Sequence, residues 1–366
     1  MRKLIVGNGN VTRAFLAILD SLGERRDVTV CDSREGASGE LMIRDHHDCF
    51  DAVLNLSSAL TGPLIDLCQR HGLAYLDTAY MCPDSEYVSI AEYAAGVCGE
   101  LRPRDGIAVL HGFGMNPGLV EVAAALYAPS RPYFAVEVDT DTAEAAAANA
   151  PEVWGTWCPE GHWKETACSP GACSARDAFL KEIPEALHYG RRLIAGGREF
   201  DFTVTVHEET GYMVTNDPNC CGAAFLYAAP RVIREHFLAL RKAGKELDGD
   251  IPVLHDLKGE ECVGVAFYDG TDAAIRYVMN RGDHAKAFRT YGCNATCWQV
   301  ACGVYAGMRL LELVGKGESL TVSSAMRIPA YRARILNALE RVGFSFETVD
   351  GSLDVDQVRS LITALY

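Results

Sequence analysis

The sequence predicts an α/β protein that opens on a doubly wound parallel sheet and continues into a second, mixed α+β domain. Three observations carry this. The chain begins with the apolar run Lys3-Leu-Ile-Val6, which ends in Gly7-Asn8-Gly9 and passes at once into a helical pattern. Short apolar runs then alternate with helix-patterned stretches to about Ala128, the rhythm of βαβ units. Between Trp154 and about Arg289 that rhythm stops, and strand-like runs stand without regular helices between them. The first part therefore reads as a Rossmann dinucleotide-binding domain.

Length and composition agree. At 366 residues the chain exceeds the ordinary reach of one core, and 49% hydrophobic with 23% charged residues describes a globular protein. A net charge of −15 argues against nucleic acid as partner, since phosphates are held by Lys and Arg, and it suits a cationic substrate. No run reaches the length of a membrane span, and the N-terminus leads straight into a strand. Fourteen cysteines without a secretory signal point to a reducing cytoplasm. A cytoplasmic homo-oligomer without membrane partners is expected.

In chain order, Val11, Phe15, Ile18 and Leu22 share a helix face, and Val28–Cys31 forms a second strand that Asp32 ends. Leu41–Ile43 suggests a short strand. Ala52–Leu56 is a buried parallel strand followed by Ser57 and Ser58, and a helix from Pro63 stops near Gly72. Ala74–Leu76 is a strand that leads into Asp77 and Thr78. A helical stretch at 87–97 and a strand at 107–110 lead to His111-Gly-Phe-Gly-Met-Asn-Pro-Gly118, where Asn116 is placed to cap a helix starting at Pro117. Phe134–Val138 leaves the first domain as a strand. Ala143–Ala150 is a solvent-side helix or a crossing loop, and Ala243–Asp250 is a polar connector. Strand-like runs stand at Phe202–His207 and Val263–Tyr268. From Asn294 a long helix resumes, with Val300, Val304, Met308 and Leu311 on one face, and is expected to pack back on the nucleotide domain. A helix at 330–342, a β-like stretch at 344–349 and a last helix from Val355 follow. The domains predicted are 1–130 for the dinucleotide, 131–290 for the substrate, and 291–366 for the helical return and a small C-terminal region.

The glycine loop supplies the cofactor expectation. Gly7 permits the tight turn, Gly9 lets the backbone approach a pyrophosphate, and the N–H groups of Asn10, Val11 and Thr12 open the helix toward it. Thr12 stands where the third glycine of the usual fingerprint would be. Asp32 is placed to hold the adenosine ribose hydroxyls, which favours NAD, while Arg34 two residues on leaves NADP open. Ser57, Ser58 and Thr78 end strands on the same edge.

Further motifs resemble a known family. Asp51-Ala-Val-Leu-Asn-Leu-Ser-Ser58, Tyr75-Leu-Asp-Thr78, Gly114-Met-Asn-Pro-Gly-Leu-Val120, Trp157-Cys-Pro-Glu-Gly161 with Glu165 and Pro170, Gly264-Val-Ala-Phe, Asn294-Ala-Thr-Cys-Trp-Gln-Val300 and Gly303-Val-Tyr-Ala-Gly-Met308 look like bacterial homospermidine synthase. That family belongs to the saccharopine dehydrogenase-like group. The resemblance runs over most of the chain. It implies a Rossmann domain carrying NAD, a second domain closing over the substrate, and a hydride cycle: an amine carbon gives up hydride, the imine takes a second amine, and the new imine takes the hydride back. It also implies that Asp77 and Glu165 are acids of an amine pocket, that Asn116 lines it, and that Trp157 offers a face to an alkylammonium.

The chain departs from the family at Ala79–Pro83, where a glutamate and a Pro-Trp pair are expected, at Cys168–Asp177, and at Asp217, where a histidine is expected before proline. Scaffold motifs are kept while the pocket is changed, which points to the same redox chemistry on a different amine. A saccharopine- or carboxynorspermidine-type dehydrogenase is the alternative, and it would need an Arg or Lys for a substrate carboxylate. Lys164, Arg191, Arg192, Arg276 and Arg281 are the cations available for that. A nucleotide-binding protein without catalysis is the alternative of another class. No metal is expected. Cys293, Cys297, Cys302 and the Cys220-Cys221 pair lack Cys-x-x-Cys spacing, and apolar fill accounts for them. His46 and His47 read as surface, and His111 as a weak candidate at the ligand edge.

Overall fold

The computed structural model describes residues 1–32, 38–82, 89–168, 171–195, 197–270, 275–352 and 355–366, without the side chains of 167, 168, 191, 192, 275 and 276. The chain forms two compact units. The first comprises Met1–Tyr87, Ala95–Ala125 and Cys297–Ser345, and the second Val88–Ala94, Leu126–Thr296 and Phe346–Tyr366.

In the first unit, strands β1 (Lys3–Val6), β2 (Val28–Cys31), β3 (Ala52–Asn55), β4 (Ala74–Asp77) and β5 (Val109–His111) are joined by Ser319–Thr321 in a parallel sheet. The spatial order is β2-β1-β3-β4-β5 and then Ser319–Thr321, so the order reverses between β1 and β3. That switch point is where doubly wound sheets open a crevice at the carboxyl ends of their strands. Every residue of β1 and β3 is buried, as a strand covered on both faces should be. Helix α1 (Asn10–Ser21) buries Thr12, Ala14, Phe15, Ile18 and Leu19, so its inner stripe is rotated from the expected one and Val11 and Leu22 lie at its margin.

Two local readings are corrected. Leu41–Ile43 belongs to helix α2 (Gly39–His46), not to a strand: the Ser38 hydroxyl caps it by accepting from Leu41 N at 3.2 Å. Only Ile43 of that triplet is buried, which fits one face of a helix. Asn116 does not cap the next helix. Helix α3 (Thr61–His71) and α4 (Ile90–Glu100) are followed by α5, which starts at Leu119 and ends at Tyr127. Gly118 has φ of +134°, outside the helical region, and Asn116 sits in the turn closed by Gly114 N donating to Pro117 O at 3.0 Å. The Asn116–Pro117 peptide is cis.

The helix Ala295–Leu311 lies mostly in the first unit, as expected, and is buried on all sides from Ala301 to Met308. Its glycines explain the motif they define. A Cβ on Gly303 would stand 2.0 Å from Gly114 O, and one on Gly307 2.5 Å from Leu76. Two glycines four residues apart thus let the helix lie directly on the turn after β5.

In the second unit, strand β6 (Tyr133–Asp141) pairs in parallel with Cys220–Ala228 and antiparallel with Glu260–Tyr268. The remaining pairings run on through Ile275–Asp283, Glu347–Ser352, Tyr189–Ala195 and Arg198–Thr205, which returns to Cys220–Ala228 and closes seven strands into a ring. The hairpin of Ala172–Ala175 and Ala178–Glu182 extends it at Cys220–Ala228. Phe134, Val136 and Val138 of β6 enter the apolar core with Leu193, Val204, Leu226, Met279 and the last helix's Leu361. Ala143–Ala150 proves to be a crossing loop with a two-residue strand, Glu144–Ala145, paired to Leu257–Lys258.

Candidate functional site

The first unit builds a cradle from the β1–α1 turn. Gly7 takes φ of +104°, and a Cβ there would lie 2.8 Å from Leu56 O, so turn and packing both require glycine. Gly9 is different. Its φ of −83° suits any residue, and an added Cβ would meet no atom of the described residues within 4 Å. Neither strain nor neighbours keep Gly9 small, and the open space before it adjoins the first N–H groups of α1, which no helical acceptor satisfies. Thr12 fills the third-glycine position as a brace, its hydroxyl donating to Gly7 O at 2.9 Å. Asp32 is buried where β2 ends.

Other predicted residues of this unit serve the loops of the same edge. Ser57 Oγ donates to Asn55 Oδ1 at 2.8 Å and accepts from Ala59 N at 3.0 Å, while Ser58 is exposed. Asp77 is buried and accepts from Gly112 N at 2.8 Å, which pins the end of β4 to the turn after β5. Its other oxygen faces His111 Nδ1 at 3.6 Å, and His111 Nε2 lies 3.2 Å from Ser319 Oγ. Thr78 is half-buried beside Gly114, and Asn116 is half-buried in its turn.

The second unit brings together a set of ionisable groups that the sequence reading largely missed. Glu165 lies on a π-helical turn, Lys164–Cys168, directly after the short helix α6 (Pro159–Trp163). Its Oε1 is 3.4 Å from Nε2 of His207, the residue before helix α7 (Glu208–Asn216). The other ring nitrogen of His207, Nδ1, lies 2.8 Å from Oε1 of the fully buried Glu209. Glu137 of β6, also fully buried, adjoins Glu209. The Phe225 ring packs on His207 with centroids 4.7 Å apart. Neighbouring Glu208 is turned away and accepts from the Tyr93 hydroxyl.

The electrostatics follow from burial. Burial and then the Glu209 charge push the Glu137 carboxyl well above the usual range, and burial raises Glu165. Burial opposes a charge on His207, but Glu209 and Glu165 outweigh it and hold the imidazole well above its ordinary value. Four buried carboxylate oxygens, both of Glu137 and Oε2 of Glu165 and Glu209, meet no hydrogen-bond donor among the described residues.

The same face of β6 carries more acids. Glu137, Asp139 and Asp141 alternate with the core residues, and Glu261 lies directly across from Asp141. All four are buried. Burial, then Asp139 and Asp141, drives the Glu261 carboxyl well upward. Oδ2 of Asp141 and Oε2 of Glu261 also meet no donor among the described residues. Beside them Trp157 Nε1 donates to the Tyr227 hydroxyl at 2.8 Å, which fixes the half-buried indole. His162 stacks on it and is pushed down by burial to about 3, a neutral filler among Trp157, Tyr227 and Phe237.

Arg281 is held by Glu260 and Glu347, and the side chains of Arg191, Arg192 and Arg276 lie outside the described residues, as do Arg34, Pro83 and Pro170. Cys293, Cys297 and Cys302 are buried, and no group of three or more metal-binding side chains occurs among the described residues. No helix there is long and apolar enough to cross a membrane. A cavity of about 140 Å³ is lined by Thr140, Thr142, Phe200, Glu260, Cys262 and Arg281 among others, and none of Glu137, Asp139, Asp141, Glu165, Glu209 and Glu261 lines it.

No protein-family model matches the chain, and no curated protein matches it in sequence. Solved structures do match. Homospermidine synthase from Legionella pneumophila in complex with NAD superposes with a TM-score of 0.70 over 94% of this chain and 91% of that one, at 14% identity. Apo saccharopine dehydrogenase (L-Glu forming) from Saccharomyces cerevisiae superposes with a TM-score of 0.55 over 96% of this chain and all of that one, at 10% identity. The fold is that of the homospermidine synthase-like, saccharopine dehydrogenase-like proteins.

Proposed function

We propose that the chain is an NAD(P)-dependent oxidoreductase acting on a C–N bond of an amine, with a linear di- or polyamine as its substrate. One observation carries the reading: buried carboxylate oxygens in the second unit that meet no donor among the described residues. Buried acceptors are almost always satisfied, and an alkylammonium is a cation made only of donors. Their spacing supports a particular length. Glu137, Asp139 and Asp141 stand on alternate residues of one strand, hence about 6.5 Å apart per step. Two ammonium nitrogens on an extended four-carbon chain are also about 6 Å apart, from single-bond lengths near 1.5 Å. The carboxylates and aromatic rings around His207 favour an amine over an amino acid.

The first unit fits a dinucleotide. The open space at Gly9 and the start of α1 suit the pyrophosphate, and Asp32 suits the ribose hydroxyls of NAD. When bound, NAD supplies the site that accepts hydride from the amine carbon. The protein's own task is to hold the ammonium and take its proton. Glu165, raised by burial, is a stronger base than a solvated carboxylate, and its second oxygen has no competing donor among the described residues. His207 between Glu165 and Glu209 keeps both acids in place and offsets part of their charge. Loss of one ammonium proton to Glu165 leaves the nitrogen lone pair that expels hydride from the neighbouring carbon, and a protonated imine, an iminium cation, results.

Incubating the protein with NAD and a panel of diamines, monoamines and amino acids, read by mass spectrometry, tests this. Conversion of a diamine supports the reading. Conversion of an amino acid alone moves it to the saccharopine-type alternative, and NAD binding without any conversion leaves a nucleotide-binding protein.

A further inference from the structure

We propose that His284 is a positioning residue that presents one oxygen of Asp141 to the ammonium group that does not react. The inference rests on the diamine reading above. His284 is fully buried at the start of the helix His284–Tyr291, where Asp283 caps the backbone by accepting from Lys286 N at 2.7 Å. Its two nitrogens have different partners. Ala295 N, opening the long helix, donates to Nδ1 at 3.1 Å, and Nε2 lies 3.1 Å from Asp141 Oδ1.

The groups facing the ring compete over its protonation. Burial opposes a second proton, while Asp141, Glu261 and Asp283 favour one and on electrostatic grounds alone hold the ring above its ordinary value. The amide of Ala295 decides between them, because an N–H aimed at Nδ1 needs a lone pair there. That amide cannot readily turn. The Asn294 side chain before it donates to Thr156 O at 2.6 Å and Leu254 O at 2.8 Å, and Asn294 N donates to His255 Nδ1 at 3.3 Å. Nδ1 is thus the acceptor, the proton sits on Nε2, and the ring donates to Asp141.

Asp141 Oδ1 takes a second donor, Ala143 N at 2.8 Å, and is saturated. Oδ2 is buried without a donor among the described residues, next to Glu261 across the strand pair. The ring and the Ala143 amide therefore fix which oxygen is spent on the protein and which remains for a ligand. Asp141 lies four residues from Glu137 on the same strand face, two steps or about 13 Å, so its station serves the far ammonium of an amine longer than a four-carbon diamine, remote from Glu165 and His207.

The test uses the full chain with NAD, and compares 1,9-diaminononane, whose nitrogens stand about 12 Å apart when extended, with 1-aminononane, which has one ammonium. In His284→Leu the ratio of the diamine KM to the monoamine KM should rise about tenfold, the scale of one hydrogen bond to a charged group. His284→Gln, which keeps an N–H near the Nε2 position, should return the ratio to within about threefold of wild type. A merely structural histidine would lower both amines' turnover together and leave the ratio unchanged, which overturns the proposal. Should His284→Leu fail to fold, nitrogen NMR of the wild-type ring decides: the Nε2–H tautomer supports it, and an Nδ1–H or doubly protonated ring at neutral pH overturns it. Wild-type protein that converts only monoamines or nothing removes the diamine reading itself, a distinguishable failure.

Discussion

Nδ1 of His207 lies 2.8 Å from Oε1 of Glu209, two residues along the chain, and this contact leaves the far nitrogen, Nε2, facing Glu165 at 3.4 Å. A buried imidazole flanked by two acids carries charge, while each acid keeps an oxygen without a donor among the described residues. In the function proposed above, these oxygens receive the substrate's ammonium group.

Glu165→Gln keeps the shape and removes the charge. Breaking a desolvated ion pair costs about 3–5 kcal/mol. Amine turnover should then fall roughly a hundredfold or more, with NAD affinity little changed. Steady-state kinetics with calorimetric NAD titration checks this. Full turnover in the variant would remove Glu165 from the chemistry.

Gly9→Val is expected to fold with wild-type stability, since φ at Gly9 is ordinary and an added Cβ meets none of the described residues within 4 Å. The same atoms would occupy the approach to the first N–H groups of α1. Loss of NAD binding at unchanged Tm is the expected pair of results. Normal binding in the folded variant would place the dinucleotide elsewhere.

Asp32 at the end of β2 should repel a 2′-phosphate and accept a 2′-hydroxyl, so NAD should bind more tightly than NADP. Titrating both against wild type and Asp32→Asn checks it, with the preference narrowing in the variant. Equal or tighter NADP binding by wild type is the contrary result.

The first sheet was legible because its buried parallel strands are continuous apolar runs. Ser319–Thr321 escaped notice because three residues with two hydroxyls carry no such pattern, and only pairing with β5 makes them a strand. Leu41–Ile43 misled for the converse reason, an apolar triplet inside a capped helix. The acids of β6 were hidden by a sound rule. In Val136-Glu137-Val138-Asp139-Thr140-Asp141 the acids fall on alternate positions, and such alternation ordinarily means one dry face and one wet one. Here both faces are buried. Glu165 and Trp157 stood out only through the family resemblance, and His207 and Glu209 have no local signal at all. Their meeting depends on α6, α7 and β6 converging, which is a property of the fold.

Those buried acids make stability depend on pH with an unusual sign. Glu137 and Glu165 are raised above the ordinary 4.5, and His207 above 6.5, so the folded state holds more protons than the unfolded one. Stability then falls as pH rises. The contribution of each carboxyl is complete below about pH 4.5 and is lost as pH climbs through its raised folded value, and that of His207 is complete below about 6.5 and lost above it. Without amine, Tm should decline from pH 5 to pH 9, whereas most proteins keep a plateau there. Glu137→Gln should flatten the decline. A diamine stays protonated over this range, as its amines titrate near 10, and its ammonium groups supply donors as the carboxyls ionise. The rise in Tm on adding 1,4-diaminobutane should thus be larger at pH 8 than at pH 5.5. Calorimetric scans across pH with and without the diamine measure both effects. A Tm that rises with pH would show the cluster to be ionised and satisfied from within, and a diamine shift independent of pH would separate the ligand from these acids.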